Sequence, residues 1–267
     1  MIIQTGMRTD IPAFYSEWLV NRIKEGYVLV RNPYNQSQVT KYSLSPDFVD
    51  LIAFCTKNPA PMLAHMDILR PYGQYWFVTI TPYGRDIEPR VPAKEIVMED
   101  FKKLSNLVGM DSVGWRYDPI FIDANHSVAW HIATFEKMAK NLSGYTKTCV
   151  ISFLDIYKKV QRNFPTARAV SKNDRLAIGK AFVEIAATYG MTIRPYLLGV
   201  DIGAYDTCGH LCKYCYANVN AGLVQENRKK HDPTSPFLLG THLPGDVIHE
   251  AKQESWVDGQ MRLDFLQ

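Results

Sequence analysis

Three of the chain's five cysteines fall within eight residues, in the stretch Asp206-Thr207-Cys208-Gly209-His210-Leu211-Cys212-Lys213-Tyr214-Cys215-Tyr216. Thiolates spaced by three residues and then by two can be aimed by one tight loop at three corners of a cubic iron–sulfur (4Fe–4S) cluster. No further cysteine lies close by in sequence, so the fourth iron would stay open. The competing chemistry is a closed tetrahedral zinc site, in which His210, His231 or His242 completes the three thiolates. Structural zinc motifs usually arrive as two ligand pairs on separate turns, whereas here one loop carries all three cysteines. Ligand softness and spacing therefore favour the cluster. Cys55 and Cys149 sit within apolar runs and read as small buried hydrophobes.

Folding alone does not call for a metal. A chain of 267 residues with 46% hydrophobic content can bury most of its apolar surface unaided. The formal charge of +3 gives nucleic acid no support as a partner, because such partners need a concentrated basic face. The amino terminus lacks an apolar stretch behind a basic start, and no window approaches 18 uncharged apolar residues. With an odd cysteine count, this leads us to expect a soluble cytoplasmic protein with no membrane partner.

The elements that must position the loop are legible as alternation. Six short runs rich in β-branched and aromatic residues recur at Met1–Met7, Leu51–Thr56, Tyr75–Thr81, Ser112–Pro119, Thr148–Leu154 and Met191–Leu198. Most are nearly continuous in apolar residues, as strands covered on both faces require. Between them lie helical patterns. One begins after Asp10, has Pro12 in its first turn, carries Phe14, Trp18, Leu19 and Ile23, and stops at Gly26. Others place Ile132, Phe135, Met138 and Leu142, and Ile178, Phe182, Ile185 and Tyr189, on single faces. Strand–helix alternation predicts an α/β fold with a parallel sheet, and six units in about 200 residues suit a (β/α) barrel or partial barrel of TIM type. Residues 1–229 form this unit, with the cysteine loop at 199–218 following its last strand. Residues 230–267 read as a small C-terminal extension packed on it, with a short helix near Val247–Trp256.

In a barrel the residues at the C-terminal ends of the strands face the pocket. Here they are strongly polar: Arg8 and Asp10, then Thr56, Lys57 and Asn58, Thr79, Thr81 and Tyr83, Arg116 and Asp118, Asp155 and Tyr157, and Arg194 and Tyr196. Asp10 reads equally as a helix cap. Arg8 with Asp10 and Arg116 with Asp118 stand two apart and read equally as ion pairs. Lysine is rarely buried unpaired, so Lys57 and, similarly, Arg194 read as pocket residues. We take Lys57, Arg116, Asp118 and Arg194 as candidate catalytic residues, and Arg8, Asp10 and Asn58 as candidate cofactor-binding ones. The Arg228-Lys229-Lys230-His231 run reads as the solvated end of a helix. No G-x-S-x-G elbow, H-E-x-x-H helix, G-x-G-x-x-G turn or P-loop is present.

The Cys208, Cys212, Tyr214 and Cys215 spacing resembles the signature of the radical S-adenosylmethionine (SAM) enzymes. The resemblance implies a 4Fe–4S cluster on Cys208, Cys212 and Cys215, and SAM chelated at the open iron. It also implies Tyr214 beside the adenine, a 5′-deoxyadenosyl radical acting on an unknown substrate, and an external one-electron donor such as flavodoxin or ferredoxin. Two departures stand out. The loop follows the last predicted strand instead of the first, which implies a re-ordered barrel, and no Gly-Gly-Glu-like stretch is present. Over residues 1 to about 240, the motifs Arg8-Thr9-Asp10-Ile11-Pro12, Gly26-Tyr27-Val28-Leu29-Val30-Arg31-Asn32-Pro33, Thr56-Lys57-Asn58-Pro59, Thr81-Pro82-Tyr83-Gly84 and Trp115-Arg116-Tyr117-Asp118-Pro119 resemble the family called domain of unknown function eighteen-forty-eight. The resemblance implies a C-terminal cysteine cluster similar to the one near the start of the radical-SAM domain, which the loop here fits. Tyr214-Cys215-Tyr216 is also distantly similar to spore photoproduct lyase, over too short a stretch to imply a substrate.

Overall fold

The computed structural model describes residues 1–194 and 199–256. The elements run β1 (Ile2–Gln4), α1 (Ile11–Phe14), α2 (Ser16–Glu25), β2 (Tyr27–Arg31), β3 (Gln38–Ser43), β4 (Leu51–Thr56), α3 (Ala60–Leu63), β5 (Gly73–Thr79) and α4 (Lys94–Val108). They continue with β6 (Val113–Ile120), α5 (Val128–Leu142), β7 (Thr148–Phe153), α6 (Lys158–Asn163), α7 (Lys172–Thr188), β8 (Thr192–Ile193), β9 (Val200–Asp201), α8 (Ala221–Lys229) and β10 (Val247–Glu250).

Seven strands form one parallel sheet in the order β8-β7-β6-β5-β4-β1-β9. The fold is therefore α/β, with seven parallel strands where the sequence suggests six. The extra one, β9, pairs with β1 through Ile3 opposite Val200 and Gln4 opposite Asp201. Among the described residues β8 and β9 are not paired with each other, so the sheet is not closed into a barrel. The predicted run Met191–Leu198 keeps only Thr192–Ile193 as strand, and residues 195–198, including Tyr196, lie outside the described residues.

The period of two in each strand sorts the two faces of the sheet. On β6, Val113, Trp115 and Tyr117 are fully buried. Trp115 stacks on Phe135 of α5 (centroids 4.8 Å apart), and Phe135 stacks on Phe182 of α7 (3.7 Å). The alternating Gly114, Arg116 and Asp118 point to the other face. There Cys55, Phe77 and Val150 form a second small apolar cluster with Tyr75. The register Cys55–Phe77–Gly114 and Thr79–Arg116–Val150 lines up these inner residues row by row. Both faces are covered, which explains the continuous apolar runs.

Asp10 caps α1, accepting from the Ala13 amide at 3.0 Å, and Gly26 ends α2 in the left-handed conformation (φ 78°). The single predicted helix is two, because Tyr15 (φ −138°, ψ 28°) breaks it. The short helix predicted near Val247–Trp256 is corrected: Val247–Glu250 is a strand running parallel to β3, in a three-stranded sheet β10-β3-β2. Its residues gain ladder hydrogen bonds from a hairpin that the sequence pattern does not reveal. The chain before β10 is pinned to α2, where the Trp18 indole N–H reaches the Ser235 and Phe237 carbonyls and the buried Arg22 reaches the Thr234 carbonyl. Among the described residues no helix is long and apolar enough to cross a membrane.

One buried group makes the fold acid-sensitive. His131 on α5 lies between the Tyr117 hydroxyl and the Phe121 carbonyl, both at 2.8 Å. Burial holds its pKa down at about 4 from an ordinary 6.5, outweighing the carbonyl contact. The unfolded chain takes up this proton first as pH falls. The resulting stabilisation is complete above pH 6.5 and is lost toward pH 4, a difference of about 3 kcal/mol. Urea titrations across that range should show the slope in the native protein and a flatter one in His131→Gln; equal slopes would refute the assignment.

Candidate functional site

The C-terminal ends of the strands open on a cavity of about 440 Å³, a volume suited to a small-molecule cofactor. Cys208, Cys212 and Cys215 line it together with residues of the segment after β1 and of the ends of β4, β5, β6 and β7. The loop reaches this place because β9 lies beside β1, so the chain leaving β9 crosses the mouth of the sheet.

Several anchors fix the loop. The Lys213 amide bonds the Ile87 carbonyl (3.0 Å), the Cys215 amide bonds the Cys212 carbonyl (3.1 Å), and the Asn218 side chain bonds the Cys208 carbonyl (2.8 Å). The Tyr15 hydroxyl donates to the Thr207 carbonyl (2.7 Å). Gly209 is favoured by contact: a Cβ there would lie 2.8 Å from Phe14 Cε1 and would displace the Arg228 guanidinium, 2.2 Å away. Gly6, also on the cavity wall, is under a stricter constraint, since its Cβ would fall 2.0 Å from the backbone carbonyl oxygen of Cys55.

Asp10 ties three segments together. Besides capping α1, its Oδ2 accepts from the Lys57 amide (2.7 Å) and from His210 Nε2 (2.9 Å). The other His210 ring nitrogen faces the Arg90 carbonyl at 3.5 Å, so this histidine is committed to holding the loop. The predicted Arg8–Asp10 pair is thereby corrected. Arg8 pairs instead with Asp201 (3.2 Å) and bonds the carbonyls of Asp201 and Gly203.

Lys57 is buried beside the loop. Its ammonium lies 2.9 Å from Glu88 Oε1 and 5.5 Å from the centre of the Tyr214 ring. Glu88 also accepts from the Thr81 hydroxyl (2.7 Å) and from the Tyr214 hydroxyl. Burial alone would raise the Glu88 pKa, but the Lys57 charge and these donors outweigh it and hold the carboxylate below its ordinary range. Burial would lower that of Lys57, yet Glu88 and the neighbouring Cys212 raise it. Both groups are ionised, and a buried pair of this kind positions what it touches, here Tyr214.

Across the cavity Arg116 pairs with Asp118, which also accepts from Ser152, and Arg116 Nη1 lies 2.6 Å from Cys55 Sγ. Arg8, Lys57 and Arg116 are thus each matched by a carboxylate.

A family model described as "Domain of unknown function (DUF1848)" matches residues 2–195. The chain belongs to that family. The match covers β1 to β8 and the Lys57, Glu88 and Arg116 surroundings, and it ends before the cysteine loop, so the DUF1848 assignment does not itself carry the cluster. No curated protein and no solved structure matches.

Of the predicted site residues in this DUF1848 chain, Arg8, Asp10, Lys57, Arg116, Asp118, Cys208, Cys212, Tyr214 and Cys215 share the cavity wall. Two do not. Asn58 shapes the turn into α3, its side chain accepting from the Ala60 amide (3.3 Å). Arg194 is exposed past the end of β8, its amide on the Cys149 carbonyl. The sequence reading also missed members of the site. Glu88 sits in a Pro-flanked turn with no motif around it, and Cys55, packed in its small apolar cluster as the sequence suggests, also lines the cavity. Thr9, on the same wall, keeps a buried hydroxyl without a hydrogen-bond partner.

Among the described residues no group of three or more His, Cys, Asp or Glu side chains is drawn together as a finished metal site. Burial raises the pKa of all three loop thiols, so without metal they are neutral at pH 7. The donor chemistry nevertheless suits iron: three cysteines on one loop, each lining one cavity, with His210 turned to Asp10.

Proposed function

We propose that this protein is an iron–sulfur enzyme of radical-SAM type. The observation that carries the reading is the meeting of all three loop cysteines with the strand-end residues on one cavity of about 440 Å³. The cyclic strand order supports it too: β9 beside β1 gives the sequence of neighbours of a barrel opened between β8 and β9. The loop after the last strand thereby stands next to the first, where a re-ordered barrel needs it.

Cys208, Cys212 and Cys215 would hold the 4Fe–4S cluster, with SAM at the iron left open. A reduced cluster held there would supply the single electron needed for reductive cleavage of SAM, the chemistry that would open a substrate to hydrogen-atom abstraction. The chain's own residues bind, orient and shield. Loading the cluster requires the three thiols to give up their protons. Lys57 and Glu88 fix the Tyr214 ring within the loop, and that ring would flank the adenine. The unpartnered Thr9 hydroxyl offers a hydrogen bond to a polar group of the cofactor. An external one-electron donor, of flavodoxin or ferredoxin type, completes the requirement, and the substrate is open.

The zinc alternative needs a fourth protein ligand, and His210 would have to leave Asp10 to provide it. Anaerobic reconstitution with iron and sulfide distinguishes the two. We expect about four irons per chain and a brown iron–sulfur absorbance. One tightly held zinc with no uptake of iron would overturn the proposal.

A further inference from the structure

Beside the cysteine cavity lies a larger groove of about 1100 Å³, and the two share Arg8, Tyr157 and Tyr216. Its size is at the upper limit for small-molecule pockets, which run to about 1,000 Å³. Its walls are also unusual. Among the described residues three tyrosines are exposed, Tyr34 at 92%, Tyr157 at 55% and Tyr216 at 47%, and all three line this groove. The other described tyrosines are at least partly covered.

The charge lining the groove is one-sided. Arg8, Arg31, Lys158, Lys159 and Lys230 face one acid, Asp206. Two of the five cations are neutralised, Arg8 by Asp201 and Arg31 by Asp246. Lys159 bonds the Tyr216 carbonyl (3.1 Å) and acts on the Cys215 thiol, and among the described residues it has no carboxylate partner; Lys158 and Lys230 are exposed. Three ammonium groups therefore stand over one carboxylate, and that carboxylate already accepts the Val219 amide. Exposed aromatic faces among uncompensated lysines suit a ligand made of flat rings on an anionic backbone.

We propose that this groove binds single-stranded nucleic acid, with unpaired bases stacked on the tyrosines and phosphates held by Lys158, Lys159 and Lys230. A duplex hides its base faces and cannot use the tyrosines. The chain's overall charge of +3 does not oppose this, since the lysines are gathered on one groove. The inference deepens the radical-SAM reading and rests on it in one respect only: a strand running past Tyr157 and Tyr216 would be delivered to the cysteine cavity as its substrate. Binding itself needs no cluster.

The test is fluorescence anisotropy with a labelled mixed-sequence 12-nucleotide DNA, the RNA of the same sequence and the DNA duplex, using the full chain both metal-free and reconstituted. Saturable binding of either single strand by both forms is expected, with the tighter strand naming the physiological source. The duplex should bind at least tenfold more weakly. Three phosphate contacts should give a slope of log affinity against log salt of about −2. Lys158→Glu combined with Lys230→Glu should weaken binding more than tenfold. Tyr34→Ala, a change at a solvent-facing ring that leaves folding untouched, should cost about tenfold. Absence of saturable binding at low salt, a duplex bound equally well, or affinities unmoved by these variants would overturn the proposal. Failure here with a cluster still forming would leave the radical-SAM reading intact, and binding without any iron uptake would separate the two in the other direction.

Discussion

Alanine at Cys208, Cys212 or Cys215, one at a time, is expected to yield a folded protein that no longer assembles the iron–sulfur cluster. The loop is anchored by its backbone and by His210, Tyr15 and Asn218, none of which depends on a thiol. Removing one sulfur therefore deletes a ligand without releasing the loop. Iron content should fall from about four per chain to a small fraction of that. SAM cleavage should drop well beyond the roughly 100-fold that loss of an outer-shell partner typically causes. Two controls make the result specific. Cys149→Ala, on the helix-covered face, should keep its iron. Cys55→Ala, inside the same cavity, should keep it as well; loss of iron there would make Cys55 a fourth ligand and close the site to SAM.

Glu88→Ala should cost about 3–5 kcal/mol of folding stability, the penalty of leaving a buried ammonium uncompensated. Among the described residues Lys57 has no other carboxylate within ion-pair distance, and Thr81 and Tyr214 lose their acceptor at the same time. Urea unfolding measures the loss. The double variant Lys57→Met with Glu88→Leu should recover most of it, because an apolar pair of similar volume avoids desolvating either charge. The same variant should still take up iron while binding SAM more weakly, since Tyr214 would no longer be held. Single and double variants of equal stability would show that the pair carries no structural load.

The legible part of the fold is the part governed by local pattern. The run Leu51–Thr56 is β4 residue for residue, and the caps at Asp10 and Gly26 are where the sequence puts them. β8 and β9, of two residues each, are too short to leave a period. They exist because neighbouring strands offer free edges, and β9 decides where the cysteine loop lands. β10 reads as helix because its alternation is stabilised only by β3, far away in sequence. In the site, residue types at the strand ends were visible but partners were not. Arg8 skips the nearby Asp10 for Asp201, 193 residues on, because Asp10 is already occupied by Ala13, Lys57 and His210. Glu88 was invisible for the same reason: a carboxylate in a turn acquires meaning only from the Lys57, Thr81 and Tyr214 groups that the fold brings to it.

The most direct measurement of the central claim is SAM cleavage by the anaerobically reconstituted protein with dithionite as reductant. The radical-SAM reading predicts a reduced-cluster electron paramagnetic resonance signal that changes when SAM is added, together with equimolar 5′-deoxyadenosine and methionine. A cluster whose signal is indifferent to SAM, with neither product formed, would contradict it.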